Sequence, residues 1–165
     1  LMADNFRLTF APNMMIPAAT NGATFVVHSV QRLALAFDDT TNESAGLQTV
    51  LPPAYTGTGT LKARLLFYSA SANSGDAGWI VYAEAVTPAD TLDLETVSSW
   101  DTGNGGTQAL SGTAGDLTAI TITLTNKDSC AAGDSFRLGI YRAADTSDTV
   151  SGDLFLYSLE LFEDE

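Results

Sequence analysis

The chain has 165 residues and a formal net charge of -13 at pH 7, from 20 acidic against seven basic residues. That charge repels phosphate backbones, so nucleic acid is not an expected partner. The only cysteine excludes an internal disulfide and a cysteine-rich zinc site. Because no segment approaches the roughly 18 apolar residues of a membrane span, we expect a soluble chain without a membrane partner.

Residues 1–22 are apolar and punctuated by proline, and only Phe6–Phe10 is patterned as a strand. Such a segment can form an extended arm that lies on a neighbouring subunit. Met14, Met15 and Ile16 would then be the interacting residues. Packing of the same segment across its own domain is the alternative, and the sequence leaves both open.

Alternation of polar and apolar residues then predicts a series of short strands. Arg32–Asp38, Leu117–Thr125 and Ser135–Arg142 alternate regularly. Leu61–Ser69 starts in the same way and becomes apolar on both faces, which indicates a central strand or one covered on its outer side. The remaining candidates, bounded by turn-forming residues, are Phe6–Phe10, Thr24–Val30, Gly46–Leu51, Trp79–Val86 and Leu154–Phe162.

These strands and the lack of a helical apolar stripe predict an all-β fold, a jelly-roll-like antiparallel β-sandwich of about eight to nine strands. No linker divides the chain, so residues 1–165 are expected to form one domain. Thr87–Gly112 is the longest loop. Within it, Gly103-Asn104-Gly105-Gly106 is not followed by the lysine and helix of a phosphate-binding loop, and we interpret it as flexible.

The sequence offers no catalytic machinery. His28, the only candidate for a histidine base, lies in an apolar strand, where a hydrogen-bonded structural ring is expected. Cys130 follows a turn-like stretch without a helix N-terminus to lower its pKa, which favours an inert, partly buried thiol. Glu84 is interpreted as an outward-facing strand carboxylate or a partner of Arg64 or Lys62, rather than a glycosidase acid. We therefore predict no catalytic residue, no cofactor and no enzymatic activity.

One loop is a weak candidate for binding calcium. Asp145, Asp148 and Asp153 lie close together with several hydroxyl residues, and Ca²⁺ prefers clustered oxygen ligands from loops. The loop lacks EF-hand spacing. Aspartates in such loops more often cap turns through hydrogen bonds to the backbone, so no metal is predicted.

A glycan ligand would need exposed aromatic rings as stacking platforms. Trp100 and Tyr55 are in predicted loops and are expected at the surface, whereas Trp79 opens an apolar strand and is expected inside. Tyr68 and Tyr141 are the other candidates.

The turns and strand ends resemble those of tailed-bacteriophage virion proteins. The first matching segments are Leu35-Ala36-Phe37-Asp38-Asp39-Thr40-Thr41-Asn42-Glu43, Val50-Leu51-Pro52, Ser69-Ala70-Ser71-Ala72-Asn73-Ser74-Gly75-Asp76 with Trp79, and Gly112-Thr113-Ala114-Gly115-Asp116-Leu117. The end of the chain, with Ala132-Gly133-Asp134-Ser135-Phe136-Arg137-Leu138 and the run Asp145–Asp153 before a last apolar strand, is similar to the close of phage β-sandwich structural proteins.

This resemblance implies a jelly-roll-like structural protein on the virion and carries over no catalytic residue. The first expectation is a capsid decoration protein on the capsid surface, a homotrimer that binds the major capsid protein and stabilises the head shell. The alternative is a tail-fibre or spike module that binds a host receptor or glycan.

Overall fold

Strands dominate the described residues, 4–144 and 146–164 of a computed structural model. In chain order they are β1 (Asp4–Phe10), β2 (Ile16–Pro17), β3 (Thr24–Val27), β4 (Leu33–Phe37), β5 (Ser44–Val50), β6 (Thr60–Ser69), β7 (Asp76–Val86), β8 (Asn104–Ala109), β9 (Thr118–Thr123), β10 (Ser135–Arg142) and β11 (Leu154–Asp164). A single 3₁₀ turn, Pro12–Met14, is the helical element of these residues, and none of their helices is long and apolar enough to cross a membrane.

The strands form two antiparallel sheets. Sheet A has the order β3-β4-β11-β6-β9, and sheet B has the order β2-β5-β10-β7-β8. Strand β11 pairs with three strands. Along one edge, β4 pairs with its first residues and β1 with its second half, and β6 runs along the other edge. The predicted jelly-roll-like sandwich is confirmed, with eleven named strands instead of eight or nine.

The core lies between the sheets and follows from the alternation of side chains. In β6, Leu61, Ala63, Leu65 and Phe67 point inward and are buried, while the residues between them are only half-buried on the outer face. Trp79 of β7 completes the packing, with its ring edge-to-face against Phe67 at 5.3 Å. Each fully buried leucine or phenylalanine side chain contributes about 1.5–3 kcal/mol.

The N-terminal segment pairs with its own sandwich from Asp4 onward. Strand β1 runs antiparallel to the end of β11, and β2 pairs with β5. Met15 belongs to the core and is 3% exposed, so it is not accessible to a neighbour, whereas Met14 and Ile16 are 54% and 66% exposed. Residues 1–3 of the predicted arm lie outside the described residues.

The loop predicted at Gly103–Gly106 is wrong from Asn104 on, because these residues begin β8. The amide of Asn104 is buried and donates to the carbonyl oxygens of Val81 (3.2 Å) and Asn126 (2.8 Å). A Cβ on Gly106 would lie 3.1 Å from Cδ1 of Ile120. Glycine, which weakens a strand in isolation, is therefore used here for close packing between the sheets.

The end of β11 is fixed by a buried carboxylate. Glu163 points inward and accepts hydrogen bonds from the backbone of Thr56 (2.8 Å) and Gly59 (3.2 Å) and from the amide of Asn5 (2.9 Å). Burial acts to raise the pKa of Glu163, but these hydrogen bonds outweigh it and hold the pKa below its ordinary value.

Candidate functional site

Two glycines leave a depression in the outer face of sheet B. Gly46 of β5 lies directly opposite Gly139 of β10, and Gly139 lies opposite Tyr82 of β7. The next row along, Leu47 and Leu138, points into the core and is buried. Because side chains alternate between faces, Gly46 and Gly139 belong to the outer face, where they leave the backbone uncovered by side chains.

Polar and aromatic residues flank this glycine floor. On one side, Arg137 of β10 lies between Gln48 and Glu84 of the adjacent strands. On the other side stands Tyr141, whose ring meets that of Tyr82 edge-to-face at 5.0 Å. The floor thus has hydrogen-bonding groups along one border and aromatic rings along the other.

Trp100 reaches this face from the loop between β7 and β8. The preceding residue, Ser99, donates its backbone N–H to the carboxylate of Glu84, and the following residue, Asp101, donates its own to the carbonyl of Ala83 (2.9 Å). These bonds hold Trp100 from both sides. A Cβ on Gly139 would lie 3.5 Å from Cη2 of Trp100, so the indole rests over the bare backbone of that residue.

Together these residues enclose a cleft of about 400 Å³, called here the sheet B cleft. Ile16 and Pro17 of β2 form one wall, and Trp100 and Tyr141 form the other. The lining residues are Ile16, Pro17, Ala18, Ala19, Ser44, Ala45, Gly46, Leu47, Gln48, Trp100, Arg137, Gly139 and Tyr141.

The charge of Arg137 is compensated within this site. Its guanidinium lies 2.6 Å from the carboxylate of Glu84, which is 4% exposed, and 4.4 Å from the centroid of the Trp100 ring. Glu84 therefore pairs with Arg137 and not with either basic residue of β6 that the sequence offered, since Arg64 and Lys62 pair within sheet A. The sheet B cleft is consequently polar but nearly neutral.

A second cleft, of about 430 Å³, lies on the outer face of sheet A and is called the sheet A cleft. His28 borders it just beyond the end of β3, with Nε2 at 2.6 Å from the hydroxyl of Tyr68. Tyr157, Leu117 and Arg32 complete its main lining. Strand β6 lies between β11 and β9 in sheet A, so the central position that its two-sided apolar pattern indicated is confirmed, and Tyr68 on its outer face packs against the His28 ring.

The aromatic candidates divide between core and surface. Trp79 is buried, as predicted, whereas the expected exposure of Tyr55 is wrong: its ring is 4% exposed and its hydroxyl accepts from the Cys130 thiol (3.3 Å). Trp100, Tyr68 and Tyr141 line the clefts. Tyr157 was not among the candidates, although its position in an alternating strand could have marked it as outward-facing.

Arg142 occupies the loop considered for calcium. Its buried guanidinium donates to both carboxylate oxygens of Asp148 (3.1 and 2.9 Å) and to the carbonyls of Phe37 (2.9 Å), Val150 (2.7 Å) and Gly152 (2.8 Å). A side-chain cation is therefore already bonded to the Asp148 carboxylate and to three backbone carbonyls around it.

The other two calcium candidates are Asp153 and Asp145. Asp153 is exposed, and Asp145 lies outside the described residues. Within residues 4–144 and 146–164, no three His, Cys, Asp or Glu side chains converge as metal ligands.

Cys130 and His28, considered as nucleophile and base, each form a hydrogen bond with a different tyrosine. Cys130 is buried and donates to Tyr55, while the His28 ring bonds to Tyr68 and packs against Phe155 at 5.3 Å. Burial raises the pKa of the Cys130 thiol, which opposes formation of the reactive thiolate. The imidazole and the thiol each have a structural partner.

Comparison of the fold identifies similar solved structures among carbohydrate-binding modules. The CBM36-1 domain of a multidomain xylanase from the hindgut metagenome of Trinervitermes trinervoides has a TM-score of 0.53 and 11% identity, covering 94% of this chain and 96% of that chain. A CBM6 from Clostridium stercorarium, in complex with cellobiose, has a TM-score of 0.53 and 8% identity, covering 99% and 98%. A CBM22 xylan-binding domain from Paenibacillus barcinonensis has a TM-score of 0.52 and 9% identity, covering 98% and 95%.

The chain shares its fold with carbohydrate-binding modules. At these identities the likeness establishes the fold alone. It supports the jelly-roll-like part of the resemblance noted in the sequence and adds nothing for a place on a phage capsid. No protein-family model matches the chain, and no curated protein matches it in sequence.

Proposed function

We propose that this chain is a non-catalytic glycan-binding module and that the sheet B cleft holds a neutral sugar. The observation that carries the proposal is the fixed indole of Trp100 beside Tyr141, over a floor of two glycines. Aromatic rings offer the flat apolar surface on which the C–H face of a sugar packs, and Gln48 and Arg137 offer hydrogen bonds to its hydroxyls.

The electrostatics of the cleft favour a sugar without charge. Glu84 neutralises Arg137, so a ligand carboxylate would gain little there. The rest of the chain carries a large negative charge, which disfavours acidic ligands further. Solved structures with this fold include a xylan-binding domain and a cellobiose complex, and this supports neutral polysaccharides as the first ligands to test.

Two substitutions test the cleft in different ways. Trp100→Ala removes the platform, and we expect a loss of affinity of about 30-fold, since truncating a central aromatic anchor costs about 2 kcal/mol or more. Gly46→Val fills the floor, where a Cβ meets its nearest atom only at an unstrained 3.6 Å. It should abolish binding while leaving the protein folded, because valine suits a strand.

The measurement is a glycan array followed by calorimetric titration of the best neutral oligosaccharide. Tyr157→Ala, on the opposite sheet, is the matched control and should leave that affinity within twofold. Unchanged affinity in both cleft variants would refute the site. A release of reducing ends from any bound polysaccharide would refute the non-catalytic assignment.

Location on a virion, capsid binding and a homotrimeric state stay predictions. The exposure of Met14 next to β2 is the feature that favours a contact with a capsid subunit. Met14→Ser should weaken that contact without unfolding β1 or β2. Density for the chain in a reconstruction of an assembled particle is the direct test of location.

A further inference from the structure

The turn between β3 and β4 places the imidazole of His28 and the guanidinium of Arg32 at the sheet A cleft. His28 donates its backbone N–H to the carbonyl of Arg32, and Gln31 donates its own to the carbonyl of His28, both at 2.8 Å. Gln31 adopts the left-handed conformation with φ of 61°. This tight turn brings His28 and Arg32 to the border of the same cleft.

The Tyr68 and His28 rings that line the cleft are held in place by a third ring, Phe155. Tyr68 stacks on Phe155 with an interplanar angle of 17° and a centroid distance of 5.3 Å, and the His28 ring meets Phe155 edge-on. The hydrogen bond between His28 and Tyr68 fixes both rings. A ligand that packs here meets a surface that needs little reordering, which lowers the entropic cost of binding.

Arg32 carries a charge that no carboxylate neutralises within the described residues. The salt bridges there join other basic residues to acids: Arg7 and Arg64 to Glu160, Lys62 to Asp164, Arg137 to Glu84, and Arg142 to Asp148. Arg32 lies near enough to Tyr68 for its charge to act against the burial that raises the pKa of that phenol. A cation at a cleft in so acidic a protein marks a local site for an anion.

A second depression adjoins the sheet A cleft. A neighbouring depression of about 290 Å³ lies along Thr9, Asn13 and Ser158 and shares Arg32 and Tyr157 with the sheet A cleft. Arg32 and Tyr157 thus stand between two adjoining hollows. This shape fits a chain of sugars that passes over a central cation better than it fits a single small anion.

We propose that the sheet A cleft binds an acidic glycan, with the guanidinium of Arg32 holding the carboxylate of a uronate residue and Tyr68 and Tyr157 packing against the sugar rings. This assignment rests on the proposed glycan-binding function but concerns a separate face. The overall negative charge does not prevent it, because the Debye length is about 8 Å at physiological ionic strength, while the Arg32 contact is direct.

The test compares two probes with the same sugars and linkages: oligomers of galacturonate or mannuronate, and their methyl esters, in which the carboxylate charge is removed. The full chain should bind at least one acid form at least tenfold more tightly than its ester. Arg32→Gln should remove that difference. Arg64→Gln is the matched control, since it removes an arginine of sheet A that is already paired with Glu160, and it should change the affinity less than twofold.

The outcomes separate this inference from the proposed function. Trp100→Ala should leave uronate binding intact while weakening that of a neutral oligosaccharide by about 30-fold. Equal affinity for acid and ester, no binding of either probe, or no effect of Arg32→Gln, would overturn the inference, and neutral binding through the sheet B cleft would still stand. Loss of all sugar binding in Trp100→Ala would assign both ligands to the sheet B cleft and overturn it as well.

Discussion

Replacing Arg142 with methionine should remove most of the stability of the domain. The change leaves the buried carboxylate of Asp148 without its partner, and breaking a buried ion pair from one side costs about 3–5 kcal/mol. It also leaves the carbonyls of Phe37, Val150 and Gly152 without the donors they have now. Each carbonyl that water cannot reach adds about 1–3 kcal/mol. These contributions together come to about 6–14 kcal/mol, comparable with the about 5–15 kcal/mol that stabilises a typical domain.

Urea unfolding followed by tryptophan fluorescence measures this loss, because Trp79 is buried in the core beside Phe37. Arg142→Lys should fall between wild type and Arg142→Met, since a lysine keeps the charge but cannot reach the carboxylate and three carbonyls together. Arg64→Met, at an exposed ion pair, should change stability by less than about 1 kcal/mol. A loss below about 2 kcal/mol in Arg142→Met would refute the reasoning. Millimolar calcium should leave the wild-type Tm unchanged, because the loop oxygens already bind a guanidinium.

Three further predictions concern the buried side chains of Glu163 and Cys130 and the close packing around Gly59. The pKa of Glu163 is lower in the folded protein than in the unfolded chain, so the ionised carboxylate stabilises the fold above the ordinary carboxyl pKa. This stabilisation is lost as the pH falls through the folded pKa. The free energy of unfolding, measured from pH 7 to 3, should therefore fall more steeply in wild type than in Glu163→Gln. Cys130 should react with a thiol reagent only as fast as the domain opens, and a burst of reaction in native buffer would contradict its burial. Gly59→Ala should cost on the order of 1–3 kcal/mol, because its Cβ would lie 2.1 Å from the Asp164 carbonyl, while Gly46→Ala should be nearly neutral in thermal melts.

Alternating strands were predictable because one residue in two must enter the core. Strand β10 was predicted with the bounds found, Ser135–Arg142, since Phe136, Leu138 and Ile140 all point inward and are buried. Strand β8 was not predictable in this way. Its glycines lack a pattern, and its position depends on close contacts with β9 that are visible only in three dimensions.

The candidate site was also only partly predictable from the sequence. Trp100 could be nominated from its loop position and Tyr141 from its place in an alternating strand, but the floor between them depends on the register that places Gly46 beside Gly139. That register joins strands far apart in sequence and leaves no local signal. The loop considered for calcium illustrates the same limit, because a run of aspartates does not reveal that Arg142 of the preceding strand lies among the loop oxygens.

The glycan-binding and capsid-binding hypotheses compete for one side chain. Ile16 is exposed, was a candidate contact with a neighbouring subunit, and also forms a wall of the sheet B cleft. Burial of Ile16 against a capsid protein would therefore narrow or close that cleft, whereas a sugar bound there would cover Ile16. Attachment through Met14 alone would spare the cleft. A virion module that binds neutral glycans through sheet B must consequently contact its neighbours elsewhere, and the sheet A cleft does not share this constraint because it lies on the opposite face of the sandwich.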